Sequence, residues 1–255
     1  YASNRDSGLL LFYMAINIGA MFAPTAAIKI MDWAKASLGV SPEDAYHFAF
    51  AIACASLIFS IAIYYIFSFT YKHVLANETQ QKSGNETKSE VKELTPAETK
   101  ERIVCLCLVF AVVIFFWMAF HQNGNTLTLF ARDFTQKTSE GLQSMAFDVT
   151  NLVACIFVVY GSFGLAQSKT GKGKGISLGV IVAAIAFLFY KYNTLEGAVE
   201  VQAPIFQQFN PCYVVALTPV SVALFSWLNK IGKEPTSPEK IGLGMLVAAL
   251  GFVWM

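Results

Sequence analysis

A chain of 255 residues that is 55% hydrophobic and only 14% charged, with a mean hydropathy of +0.52, does not describe a water-soluble domain, where about a quarter of residues carry charge. The formal net charge of +1 leaves no basic or acidic excess to point to nucleic acid. The charges are clustered, and long uncharged tracts run between the clusters.

A bilayer core of about 30 Å is crossed by about 20 apolar residues in a helix. Seven tracts meet that description, at approximately 8–30, 46–71, 103–131, 145–166, 175–191, 204–229 and 240–255. Their apolar character runs round the whole helix, which suits a span better than a surface helix. The chain opens on Tyr1 with no signal peptide before the first apolar run, and its end lies inside the last one. An internal piece of a longer protein is therefore expected.

In the first tract, LFYMAINIGAMFAP, the spacing of Tyr13, Asn17, Ala20 and Pro24 places them on one helix face. Asn17 needs a partner inside the protein, and Gly19 and Ala20 allow a second helix to come close. After the second tract comes HVLANETQQKSGNETKSEVKELTPAETKER, too polar to fold alone, within which SEVKELTPAETKER is expected to form a surface helix. Asn77 and Asn85 each open an N-x-T triplet.

The third tract carries the least lipid-like run of the chain, FFWMAFHQNGNTLTLFARDF. On a continuous helix Trp117, His121, Asn125 and Thr128 share a face, with Gln122 beside it and Gly124 weakening the helix. The turn SKTGKGKG, between the fourth and fifth tracts, lacks the G-x-x-x-x-G-K-[ST] order of a phosphate loop and is read as a basic cytoplasmic turn. In the sixth, APIFQQFNPCYVVALTPV, Gln207, Asn210 and Thr218 lie roughly on one side. Pro211 and Pro219 are each expected to remove a backbone donor and free a carbonyl upstream.

The basic residues order these spans. Of the eighteen Lys and Arg, only Lys29, Lys35, Arg132, Lys137 and Lys191 fall on one side of the alternating connections. The other side is then cytoplasmic, and with it the 72–101 loop. An N-glycosylated loop would have to lie outside, so the two triplets are read as chance occurrences. The five cysteines all sit in apolar tracts, and are read as small buried thiols rather than zinc ligands. There is no nucleophile–base constellation and no metal-ligand cluster, so the chain is not read as an enzyme and no cofactor is expected.

Polar residues inside spans can glue helices together or line a path for a ligand. Three spans with polar centres and helix breakers favour the path.

Three segments carry a family resemblance. LLLFYMAINIGAMFAP resembles the F-Y-x-x-I-N-x-G-[SA] signature of the proton-dependent oligopeptide transporters, FWMAFHQNGNTLTLFA is similar to their F-W-x-x-x-x-Q segment in the seventh helix, and FQQFNPCYVVALTPVSVALFSWL resembles their N-P segment in the eighth. The resemblance implies an all-α transmembrane, partial major facilitator fold, from the family's fifth helix to its ninth. Residues 1–71 would end the N-terminal bundle, 72–101 would be the cytoplasmic inter-bundle loop, and 102–255 would start the C-terminal bundle. The spans at about 145–191 then form an inserted helical hairpin, read as a lipid-facing accessory.

The implied function is a proton-coupled symporter of di- and tripeptides in the cell (inner or plasma) membrane, driven by the proton gradient and monomeric when full length. Alternatives are a transporter of the same fold for nitrate or a sugar derivative, or a membrane structural protein. Asn17 matches the signature asparagine near the peptide site, Asn210 the asparagine that meets the peptide's amino end, and Gln122 the family glutamine. Tyr13 and Trp117 join them as substrate-facing candidates. His121 stands where several bacterial relatives have a glutamate. It is both a substrate-facing and a proton-coupling candidate, since histidine titrates near physiological pH. The family's E-x-x-E-R motif, fourth-helix lysine and tenth-helix glutamate lie outside the chain.

Overall fold

The computed structural model describes residues 2–70, 72, 95–195 and 197–254. Its helices are α1 (Ala2–Leu38), α2 (Ala45–Ile66), α3 (Pro96–Phe120), α4 (Thr126–Phe134), α5 (Val149–Gln167), α6 (Gly171–Asn193), α7 (Phe209–Lys230) and α8 (Ser237–Trp254). Short 3-10 segments lie at His121–Asn123, Gly141–Phe147 and Ala203–Gln208, and a two-residue ribbon pairs β1 (Thr138–Ser139) antiparallel with β2 (Val199–Glu200). The fold is all-α and transmembrane, part of a major facilitator architecture.

Among the described residues six helical segments are long and apolar enough to cross a membrane, one fewer than the sequence suggested. The difference is α8. Its first turn is Ser-Pro-Glu-Lys, and its apolar part runs to the last described residue, Trp254. The segment SEVKELTPAETKER is also corrected in its described part. Pro96 onward is no separate surface helix but the opening of α3, where Thr95 and Glu98 form a capping box: the Thr95 amide donates to the Glu98 carboxylate at 2.9 Å, and the Glu98 amide donates back to Thr95 Oγ1 at 3.3 Å. The triplets at Asn77 and Asn85 lie outside the described residues.

The chain divides into two compact units, Ala27–Trp117 and Tyr1–Ala26 with Met118–Met255. In the first, Gly39 ends α1 with a φ of 64°, a left-handed conformation that favours glycine. Trp33 then meets Phe48 edge to face, with ring centroids 6.5 Å apart, and Ala34 and Ala45 are fully buried. Among the described residues α2 buries nothing beyond Ala45, and α3 has no buried residue.

The second unit is built around α5 and α6. Gly161 lets them pack closely, since a Cβ there would stand 2.7 Å from Ile181 Cγ1 and 3.3 Å from the Ser177 carbonyl. Gly164 repeats the close packing against Ser177 Oγ. An adjoining side of α5 enters a small core in which Met21 of α1, Val149 of α5 and Cys212 of α7 are buried together. This corrects the lipid-facing reading of the hairpin for α5, which buries Val149, Asn151, Ala154 and Gly161, whereas α6 buries Ala184 alone. Cys54, Cys105, Cys107 and Cys155 are exposed and only Cys212 is buried, so the buried-thiol reading holds for one cysteine of five.

Candidate functional site

The predicted polar face of the third span does not exist as a regular helix face. The α-helix stops at Phe120, turns through a 3-10 segment at His121–Asn123, and restarts at Thr126 after Asn125 leaves the helical region with φ −110° and ψ −87°. The 3-10 bonds run from the Gly124 amide to the His121 carbonyl and from the Asn125 amide to the Gln122 carbonyl, each 3.2 Å. A break inside an apolar span strands backbone groups that lipid cannot satisfy. Here Gln122 takes up part of that load: its Nε2 donates to the Met118 carbonyl at 3.3 Å, and its Oε1 accepts from Thr126 Oγ1 at 2.6 Å. Gln122 thus stitches the end of one helical segment to the start of the next.

His121, Gln122 and Asn125 are exposed. The ring of His121 meets Phe120 at 6.2 Å, edge to face. Trp117 precedes the break on α3, about half exposed, with its ring 5.8 Å from that of Phe116.

On the far side of the break, Thr128 Oγ1 donates to the Asn123 carbonyl at 2.9 Å and accepts from Gln207 Nε2 at 3.2 Å. This fixes α4 to the 3-10 segment that precedes α7. A cavity of about 370 Å³ follows the seam, with Asn123, Thr128, Thr135 and Phe206 in its lining, at the lower end of the range for small-molecule sites.

Asn210 stands in the first turn of α7 and is exposed. Pro211 follows it in that same turn, where an amide has no partner within its helix, so it frees no carbonyl of α7 itself. Pro219 lies in the helix interior and does free one, that of Val215. Tyr160 Oη on α5 donates to it at 3.2 Å.

On α1 the helix runs on through Pro24. Asn17 is 8% exposed, and its Nδ2 donates to the Tyr13 carbonyl at 2.9 Å. The Tyr13 side chain is exposed, as is Ala20, so of the shared face only Asn17 belongs to the buried stripe of α1. It passes through Asn17 and Met21 to the half-buried Thr25.

Thr25 leads to a polar cluster the sequence reading missed. Its Oγ1 donates to Gln208 Oε1 at 3.1 Å, and Gln208 Nε2 donates to the Phe147 carbonyl at 3.2 Å. Gln208 has no exposed surface at all. Beside it Phe147, Phe206 and Phe209 pack edge to face, and Asn151 Nδ2 donates to the Met145 carbonyl at 3.0 Å. The signal was present in the pair Gln207–Gln208, but helical periodicity picks the wrong member because the segment is 3-10.

Asp148 closes the hairpin at the same end. It accepts from the Thr150 amide at 2.9 Å as the N-cap of α5, and pairs with Lys191 of α6 at 2.8 Å. Burial pushes its carboxyl up, yet the hydrogen bonds from Lys191 and Thr150 outweigh burial and hold it below the usual carboxylate range. Among the described residues no group of His, Cys, Asp and Glu is arranged to hold a metal ion.

A family model described as the POT family matches residues 2–88 and 182–255. The chain belongs to the POT family. The dipeptide and tripeptide permease B of Salmonella typhimurium is 24% identical over 263 residues, covering 97% of this chain and 45% of that protein. The same-named permease of Shigella dysenteriae is 23% identical over 268 residues, covering 99% of the chain and 46% of the protein. An uncharacterized transporter, YclF of Bacillus subtilis, is 25% identical over 271 residues, covering 98% of the chain and 46% of that protein. The chain spans just under half the length of these relatives. No solved structure matches it at a significant level.

These relatives are named permeases and a transporter, which fits a POT-family chain that crosses the bilayer several times as an integral membrane protein. Within the family match, Tyr13 and Asn17 fall in the first matched segment and Asn210 in the second, whereas Trp117, His121 and Gln122 lie between the two. The permease alignments cover nearly the whole chain.

Proposed function

We propose that the full-length protein carrying this chain is a proton-coupled symporter of di- and tripeptides, working as a monomer with the proton gradient as its energy source and no cofactor. The observation that carries the reading is the helix break at His121–Asn125, which leaves polar side chains exposed in the middle of an apolar span. Such breaks are how transporters expose polar groups at membrane depth, since irregular backbone there is tolerated only in protein or against a water-filled cavity. The permeases aligned with nearly the whole chain carry the names of dipeptide and tripeptide transporters.

In this reading Asn210 meets the peptide's amino end, and Asn17 and Gln122 supply further hydrogen bonds. Tyr13 and Trp117 offer aromatic faces, and His121 takes up and releases the coupled proton. The 72–101 loop is cytoplasmic and joins two bundles, which rock around the substrate. A protonation worth about 1.4 kcal/mol shifts an inward–outward equilibrium tenfold, so one titrating group is enough to bias it.

The test is uptake by the purified full-length protein in liposomes with an imposed proton gradient, acidic outside. Labelled dialanine accumulates above protein-free vesicles and an uncoupler abolishes the accumulation. Gradient-driven accumulation of nitrate or of a sugar derivative, with none of dialanine, would replace this reading by a transporter for another solute.

A further inference from the structure

The hairpin helices α5 and α6 carry none of the candidate substrate-facing residues, yet α5 reaches the backbone of the helix that carries Asn210. Pro219 has no N–H, so the Val215 carbonyl one turn upstream lacks its α-helical donor, and the proline ring crowds the same carbonyl. Val215 is 3% exposed, so water does not take the donor's place. A carbonyl left unpaired in an apolar interior costs on the order of the hydrogen bond it has lost.

Tyr160 fills the vacancy at 3.2 Å. The same hydroxyl stands 3.7 Å from Met14 Sδ on α1, but it has a single proton and a thioether is a weak acceptor, so the carbonyl takes the bond. The adjacent Gly161 sets α5 against α6 so closely that a Cβ would stand 2.7 Å from Ile181 Cγ1. Tyr160 is therefore presented to α7 from a helix that is itself braced. On α7, Thr218 Oγ1 donates to the Val214 carbonyl at 2.6 Å, a back-bond that bends helices, so two perturbations meet at one turn.

We propose that Tyr160 is a positioning residue: by supplying the donor that Pro219 removes, it fixes the course of the N-terminal half of α7 and with it the place of Asn210. The link to transport rests on the reading of Asn210 as a peptide contact. The clamp itself rests only on the Tyr160–Val215–Pro219 geometry.

The experiment is a double-mutant cycle in the full-length protein, with wild type, Tyr160→Phe, Pro219→Ala and the double variant reconstituted in liposomes. Hydrogen–deuterium exchange of peptides covering 209–218 reads the clamp without any substrate. Tyr160→Phe accelerates exchange there roughly fivefold, as the loss of one hydrogen bond of typical net strength would. In the Pro219→Ala background the backbone supplies its own N–H to Val215, and the same tyrosine substitution changes exchange by less than about twofold. An equal acceleration in both backgrounds would overturn the clamp, because Tyr160 would then act through packing alone.

Dipeptide uptake reads the second link. Tyr160→Phe raises the apparent KM severalfold with little change in maximal rate at equal protein density. A clamp seen by exchange with an unchanged KM would overturn the positioning role. If the wild-type protein accumulates no dipeptide, it is the transport reading that fails, and the exchange cycle still decides the clamp.

Discussion

Two polar regions interrupt the apolar spans of this chain, and they differ in what their side chains bond to. At the end of the unit where α5 begins, Thr25, Gln208 and Asn151 lie within the protein, and each bond of the Thr25–Gln208–Phe147 relay joins different elements. At the break in the third span, His121, Gln122 and Asn125 are exposed, and Gln122 bonds only four residues away in either direction. Both regions look alike in the sequence, as polar letters in apolar tracts. The first is glue of the kind that joins helices in a membrane. The second holds its own break together and leaves its polar side chains exposed, in keeping with the proposed substrate path.

The comparison gives opposite expectations for substitutions in the two regions. The largest effect falls on transport. Asn210→Leu raises the apparent KM for a dipeptide at least about tenfold, the equivalent of one lost hydrogen bond to a charged group, while the melting temperature in detergent stays within about 2 °C of the wild type. A large stability loss would move Asn210 to the glue class.

Gln208→Leu behaves the other way. It leaves the Phe147 carbonyl and the Thr25 hydroxyl without their partner and destabilises the protein by about 2 kcal/mol, read as reduced resistance to thermal denaturation. Properly folded protein that survives the substitution keeps its KM. A raised KM at unchanged stability would bring Gln208 into the substrate path and erase the distinction.

Asp148→Asn is the smallest change expected. It weakens the N-cap of α5 and the pair with Lys191, together worth about 1 kcal/mol at a partly exposed site. The sign with pH follows from the lowered carboxyl. A carboxyl held below its unfolded value stabilises fully above about pH 4 and loses that contribution as pH falls through its folded value. The wild type therefore loses its advantage over Asp148→Asn on acidification below about pH 4, and an advantage that persists there would show that the carboxylate is not what holds the hairpin end.

The spans were legible because a helix that crosses lipid must be about 20 apolar residues long, whatever it packs against. The partners were not. Pro219 announces a freed carbonyl in the sequence, but its donor is a tyrosine 55 residues away, and only packing brings the two together. Periodicity chose Gln207 over Gln208 because it assumes 3.6 residues per turn, and the segment is 3-10. It placed Trp117, His121, Asn125 and Thr128 on one face for the same reason, although Gly124 and the polar run marked where the helix gives way. Asn17 lies between the two classes: buried like the glue, bonded within its own helix like the break. Its burial follows from the stripe through Met21, which the alternation of apolar letters in a uniformly apolar helix cannot single out.

The claim that the break exists to face a water-filled path, with His121 as its titrating member, is tested most directly by His121→Gln in the full-length protein. Gradient-driven dipeptide uptake is measured from pH 5.5 to 8 at matched protein density, and counterflow without a gradient is measured alongside. Glutamine keeps the polarity of the site and carries no group that takes up a proton. The account predicts a flattened or shifted pH profile for gradient-driven uptake, with counterflow retained. A profile identical to the wild type would contradict it and leave His121 as part of the structure that holds the break.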